Sequence, residues 1–198
     1  HQLAFALSEP PRRAAQQPVH DRAFEHVVRE VEEERQRRVP RGGRPERLEL
    51  LAQAIAVRAK AFGLRVHVAN RSPVATSSLV DASFGLDDLQ RFWPTADFIV
   101  VSVPLTPQTT GIVGAAAFAA MRPGAVVVNV GRGPTIDEQA LFDALSSQRI
   151  AGAIIDTWYQ YPSPAQAAVL PSKLPFHTLP NLVMTPHMSG WTRGTSER

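Results

Sequence analysis

The chain has 198 residues, 44% of them hydrophobic, a net charge of +3 and no cysteine. That length predicts one domain, or one domain with an appendage, and the composition supplies enough apolar material for a core. The missing cysteine excludes disulfides and thiolate metal sites. No apolar run approaches the roughly 18 residues needed to cross a bilayer, and no basic-then-apolar leader opens the sequence. A cytoplasmic protein with no membrane partner is the expectation.

The sequence pI is 9.9, yet Lys60 and Lys173 are the only lysines. The arginines crowd before residue 48, where they alternate with acids such as Glu30, Glu32, Glu33 and Glu34. Alternating charge marks a solvated face. A nucleic-acid surface would need a one-sided basic stripe, so no nucleic-acid partner is expected.

Residues 1–47 are rich in Arg, Glu, Gln and Pro and poor in strand signals. Within them, 21–38 reads as a helix, because Phe24, Val27, Val28 and Val31 fall at helical spacing with charges on the other faces. The run Pro40-Arg41-Gly42-Gly43-Arg44-Pro45 reads as a loop. From residue 48 the pattern changes. Leu48, Leu51, Ile55 and Phe62 predict a helix over 48–62, with Gly63 as its C-cap. A short strand is predicted at 64–69. Nearly continuous apolar runs at 98–103, 125–130 and 151–156 read as strands buried on both faces, the mark of a parallel sheet covered by helices. Helices fit at 115–121 and 137–147, and a last strand at 181–184. The alternation predicts an α/β domain: a doubly wound, Rossmann-like parallel sheet with right-handed crossovers. The expected organisation is a charged N-terminal segment (1–47), an α/β nucleotide domain (48–192) and a tail (193–198).

In such folds ligands sit at the carboxyl ends of the strands. Three places there carry chemistry. Asn70-Arg71-Ser72 follows the first clear strand. In a nucleotide fold an acid at this point would bind the ribose 2′-hydroxyl of NAD, whereas an arginine accommodates the 2′-phosphate of NADP. Asn70, Arg71 and Ser72 therefore favour NADP over NAD, although an ordinary turn would also use these residue types. Asn129-Val130-Gly131-Arg132-Gly133 sets an arginine between two glycines. Glycine permits unusual backbone angles and close approach of a ligand, and the planar guanidinium matches a carboxylate with two hydrogen bonds. Thr185-Pro186-His187 offers an acid/base that titrates near neutrality, as carbonyl reduction requires. His177 is assigned a structural place.

Taken together these residues resemble one family, the D-isomer-specific 2-hydroxyacid dehydrogenases. The resemblance runs from about residue 51 to 192. It is carried by Ala54-Ile55-Ala56-Val57-Arg58-Ala59-Lys60-Ala61-Phe62-Gly63, Val103-Pro104-Leu105-Thr106-Pro107, Met121-Arg122-Pro123-Gly124-Ala125, the stretch 129–137, the stretch 151–156 and Thr185-Pro186-His187. The resemblance implies that Arg132 holds the carboxylate of a small 2-oxo acid and that His187 is the acid/base. It implies that Asp156 lies near the nicotinamide carboxamide. Val103, Pro104 and Thr106, with Thr110 less directly, would line the nicotinamide and its ribose. It also implies a homodimer.

Two departures stand out. The family's third catalytic residue is a glutamate that orients the histidine. Here Asp156-Thr157-Trp158-Tyr159-Gln160-Tyr161-Pro162 puts Tyr161 in its place. A phenol, with a reference pKa of about 10, carries no charge at neutral pH but can hydrogen-bond an imidazole. Formate dehydrogenases of the same superfamily also lack the glutamate, and the Pro186 to Gly190 run is similar to theirs, so formate chemistry is a minor alternative. The second departure is the phosphate cradle. The family has a strand, then Gly-x-Gly-x-x-Gly, then the helix placed here at 48–62. This sequence lacks that first strand and the glycine loop, and Gly42-Gly43 has the wrong spacing. The ends are short as well; only 3–7 suggests a remnant of the helix that enters the domain. These gaps leave two alternatives to an enzyme. One is a non-catalytic assembly protein like the C-terminal-binding-protein corepressors, and the other is a truncated product with an exposed sheet edge.

Overall fold

The computed structural model describes residues 2–8, 45–71 and 74–190. The predicted helix at 21–38, Gly42-Gly43, Ser72 and the tail 193–198 lie outside the described residues.

Among the described residues, seven strands form one sheet: β1 (Gln2–Ser8), β2 (Arg65–Asn70), β3 (Ala82–Phe84), β4 (Phe98–Val101), β5 (Val126–Asn129), β6 (Gly152–Ile155) and β7 (Leu182–Met184). Their order across the sheet is β3-β2-β1-β4-β5-β6-β7. The pairs β2–β3, β4–β5, β5–β6 and β6–β7 are parallel. Helices α1 (Pro45–Ala61), α2 (Leu89–Phe92), α3 (Ala115–Ala120) and α4 (Glu138–Ser146) alternate with them. This is the doubly wound, Rossmann-like class expected from the buried apolar runs.

Several elements follow from local chemistry. α1 opens on proline, whose fixed φ suits a first turn. It ends at Gly63, which adopts φ +74. The Leu64 amide reaches back to the Ala59 carbonyl at 3.0 Å and the Gly63 amide to Lys60 at 2.9 Å. This paired closure needs a left-handed residue that glycine supplies without strain. α4 starts where Asp137 accepts a hydrogen bond from the Ala140 amide, satisfying one of the unpaired donors of a helix N-terminus.

The main core lies between one sheet face and α2, α3 and α4. Phe92, Ile99, Val127, Ile136, Leu141 and Ile155 are buried there. On the other face, Ala52, Ala56 and Ala59 of α1 pack on Val66, Val68 and Val100. Small side chains on that helix face bring it close to the strands.

The expected remnant helix near 3–7 is instead the strand β1. Five successive apolar residues do not distinguish a strand from a buried helix turn by period. The sheet had an unfilled position between β2 and β4, and pairing there satisfies the backbone of 2–8 against β2 and of 4–7 against β4. The place of the family's first strand is thus filled by the N-terminal segment, but it runs backwards. β1 is antiparallel to β2 and to β4, with Ser8 opposite Arg65 and Leu7 opposite Phe98. It leaves the sheet at the amino edge, not at the carboxyl edge where a phosphate loop belongs.

Candidate active site

The expected site residues collect along the carboxyl edge of the parallel strands, on loops that touch one another. After β2, Asn70 is buried and its Oδ1 accepts the Arg71 amide at 2.9 Å. That turn holds Arg71 against the loop following β4. Arg71, Val103, Pro104 and Thr106 line one open pocket with Leu86 and Gln108. The β4 loop keeps its shape through Thr109. Its buried hydroxyl accepts the Thr106 amide at 2.8 Å and donates to the Pro104 carbonyl at 2.7 Å. Thr110 donates to the Thr106 carbonyl at 2.8 Å, on the exposed side.

Arg132 is exposed and extended, with φ −143 and ψ 140, between two buried glycines. The glycines were expected to make room for a ligand or for unusual backbone angles. The structure corrects this. A Cβ on Gly131 would lie 2.8 Å from the Val103 carbonyl oxygen, and one on Gly133 would lie 2.2 Å from that of Trp158. Neither glycine has positive φ. They are required because the loops after β4 and β6 press their own backbones against this one. Asn129 fastens the loop from inside: its Nδ2 donates to the Arg132 carbonyl at 3.1 Å and its Oδ1 accepts the Gly131 amide at 3.0 Å.

Asp156, just after β6, is 2% exposed. One carboxylate oxygen accepts from the Thr185 hydroxyl at 2.5 Å and the Met188 amide at 2.9 Å. The other accepts from the Ser189 amide at 3.0 Å and its hydroxyl at 2.5 Å. These four donors flank His187 on both sides, so Asp156 clamps the loop that carries the histidine. His187 itself adopts φ +58, a left-handed conformation that non-glycine residues enter at a cost of roughly 1–3 kcal/mol. Burial alone would raise the Asp156 pKa. The hydroxyls of Ser189 and Thr185 and the two amides override it and hold the carboxyl at about 2.

Tyr161 stands over His187, with ring centroids 5.5 Å apart and planes tilted by 48°. Its phenol oxygen accepts the Trp158 amide at 2.9 Å. The tyrosine thus meets the histidine through its ring, and its oxygen is tied to the β6 loop. Trp158 also donates its indole N–H to the Thr185 carbonyl at 2.9 Å. His177 is exposed on a short turn at Phe176–Thr178, away from this cluster of contacts. Sequence reading missed Thr185, Ser189, Trp158 and Asn129 as the residues that position the site. The nearest signal was the density of short polar side chains beside glycine and proline at strand ends, which favours side-chain-to-backbone bonding.

Two outcomes follow from this geometry. Asp156 has a depressed folded-state pKa, so its contribution is fully present above about pH 4 and is lost as the pH falls towards 2. Protection factors at the Met188 and Ser189 amides, referred to the intrinsic exchange rate at each pH, should fall over that window. Asp156→Asn should remove the acid dependence and lower stability by on the order of 2 kcal/mol in chemical denaturation. Unchanged protection factors at these amides between pH 5 and pH 2 would refute the clamp. Gly133→Ala forces the Trp158 backbone to move. It should cost roughly 1–3 kcal/mol, whereas Gly124→Ala, with nothing near the added Cβ, should be close to neutral.

Comparison with known proteins agrees with this arrangement. Residues 50–189 match the profile of "D-isomer specific 2-hydroxyacid dehydrogenase, NAD binding domain". The chain is 35% identical over 145 residues to D-3-phosphoglycerate dehydrogenase of Methanocaldococcus jannaschii, covering 72% of this chain and 26% of that protein. It is 40% identical over 108 residues to glyoxylate/hydroxypyruvate reductase B of Enterobacter agglomerans, covering 54% of this chain and 31% of the relative. Among solved structures, a D-isomer specific 2-hydroxyacid dehydrogenase from Xanthobacter autotrophicus Py2, in complex with NADPH and MES, superposes with a TM-score of 0.62 at 31% identity. That match covers 84% of this chain and 53% of the other. The chain therefore spans about a quarter to a third of the curated relatives and about half of that solved structure. With loops, motifs and fold in agreement over residues 50–189, the chain belongs to the D-isomer-specific 2-hydroxyacid dehydrogenase family, whose NAD-binding domain it carries.

Proposed function

We propose that this chain is the cofactor-binding half of an oxidoreductase that interconverts a small 2-oxo acid and its 2-hydroxy acid. The observation that carries the reading is the interlocking of the strand-end loops. Gly131 packs on Val103, Gly133 on Trp158, Tyr161 on His187, and Asp156 holds Thr185, Met188 and Ser189. Exposed Arg132 and His187 are thereby mounted on one connected rim.

In this reading Arg132 binds the substrate carboxylate through its planar guanidinium, fixing the carbonyl in orientation. His187 gives a proton to the carbonyl oxygen during reduction and takes it back during oxidation. Tyr161 limits the imidazole's rotation from one side. Asp156 keeps the histidine loop in register beneath. A nicotinamide cofactor, when bound, supplies or accepts the hydride. The residues fit its nucleoside side: Arg71, Val103, Pro104 and Thr106 share one pocket at the strand ends, with Asn70 turning Arg71 towards it. The Arg71 guanidinium favours the 2′-phosphate of NADP over the diol of NAD. A homodimer and a cytoplasmic setting go with the same reading.

A second reading is favoured by β1. Because that strand exits at the amino edge, the turn that would cradle a pyrophosphate does not follow it among the described residues. A non-catalytic, cofactor-sensitive assembly protein fits that feature.

Fluorescence titration with NADPH and NADH separates the two. The enzyme reading expects saturable binding, tighter for NADPH. Arg71→Ala should weaken NADPH about tenfold, roughly 1.4 kcal/mol, and leave NADH nearly unaffected. Reduction of glyoxylate or hydroxypyruvate should then fall by about 10²–10⁴ in His187→Ala, with cofactor affinity retained. Cofactor binding without turnover of either acid would support the assembly reading, and no binding at millimolar cofactor would refute the enzyme reading and leave a family-derived scaffold.

A further inference from the structure

Among the described residues, one sheet face is only half covered. Alternate residues on the α1 side form a continuous apolar row, because Val100 lies opposite Val128, Val128 opposite Ile154 and Ile154 opposite Val183. α1 covers the near end, where Val100 is 8% exposed. The far end is bare: Ile154 is 40% and Val183 55% exposed, and Phe98, beside Val126 in the next row, is 43% exposed. Parallel strands normally bury both faces under helices. On the opposite face the same strands are covered by α3 and α4, with Ile155 and Val127 buried. An apolar row across the middle of a parallel sheet is a helix-sized gap.

We propose that the chain's own segment 21–38 docks on this face. Its sequence has a helical apolar stripe of Phe24, Val27, Val28 and Val31, at the i, i+3, i+4, i+7 spacing that buries one side of a helix. The rest of its surface is charged and suits solvent. Connectivity supports the placement. β1 leaves the sheet at the amino edge with Leu7 opposite Phe98, the first residue of the bare face. α1 runs into β2 through the tight turn at Gly63 and packs along it, so α1 enters from the carboxyl edge. The chain between Ser8 and Pro45 must therefore travel from one edge to the other.

A helix of 18 residues is about 27 Å long and makes that journey along the strands. Residues 9–20 reach up to about 40 Å when extended, while β4 to β7 span only about 14 Å at normal strand spacing. The short run 39–44, with Pro40, Gly42 and Gly43, then suits a turn between two antiparallel helices. The outcome is a helix pair on one face: α1 over β2, β1 and β4, and 21–38 over β5, β6 and β7.

The sequence contains no cysteine, so a paired-cysteine test is free of background. Val28→Cys with Ile154→Cys in the full chain should form an intramolecular disulfide under mild oxidation. It would be seen as loss of both thiols at monomer mass and located by peptide mapping. Glu30→Cys with Ile154→Cys, on the opposite side of the helix, should cross-link at least tenfold more slowly. In parallel, Val27→Asp with Val28→Asp should raise hydrogen exchange at the Ile154 and Val183 amides and increase binding of an apolar dye several-fold. Equal cross-linking by both cysteine pairs would overturn the proposal. So would disulfides formed only between chains, which would place a second copy on this face. Two freely reactive thiols together with unchanged exchange in the aspartate variant would also overturn it. Cofactor binding enters none of these readouts, so their failure is distinct from failure of the proposed activity.

Discussion

A parallel sheet has no solvent face of its own, and that constraint governs this molecule. Its strands are short, three to seven residues, and they gain stability from apolar contact above and below rather than from length. On one side α2, α3 and α4 meet the requirement, and most of the fully buried large side chains lie there. On the other side, among the described residues, α1 meets it over the first strands. The same requirement explains β1. A gap between β2 and β4 would expose two unpaired strand edges in the middle of the sheet, and segment 2–8, with its five successive apolar residues, closes it.

Filling the gap in reverse has a functional consequence. In a dinucleotide fold the first strand delivers the chain to the carboxyl edge, where a glycine turn and a helix N-terminus receive the pyrophosphate. Here the strand fills the position but delivers the chain to the amino edge. Sheet continuity and ligand binding are therefore separated. The first is satisfied among the described residues; of the second, the described residues contribute to the proposed site the loops after β2, β4, β5, β6 and β7.

Those loops are held by backbone contact and buried polar bonds. Two glycines let three loops share space that a single Cβ would deny them. One carboxylate, buried and held ionised by four donors, organises the loop on which the histidine sits in a left-handed conformation. The histidine's geometry thus rests on a residue 31 positions away in sequence, a dependence that no local motif expresses.

The sequence by itself determined the class of fold and nearly every element after residue 45. Apolar runs and helical spacing place β2, β4, β5, β6, β7, α1, α3 and α4 within a few residues, because both signals are local and periodic. It also placed Arg71, Arg132 and His187 at strand ends, since in this fold a strand's end is already a position in space. Tertiary structure decided the rest. It made 2–8 a reversed strand, because pairing partners and not propensity choose the fate of a short apolar run. It showed the glycines beside Arg132 to be spacers between backbones, because the clash they avoid comes from Val103 and Trp158, remote in sequence. It gave Asp156 its partners and Tyr161 its ring contact with His187, because hydrogen bonds and packing between loops exist only once separate strands have been brought side by side.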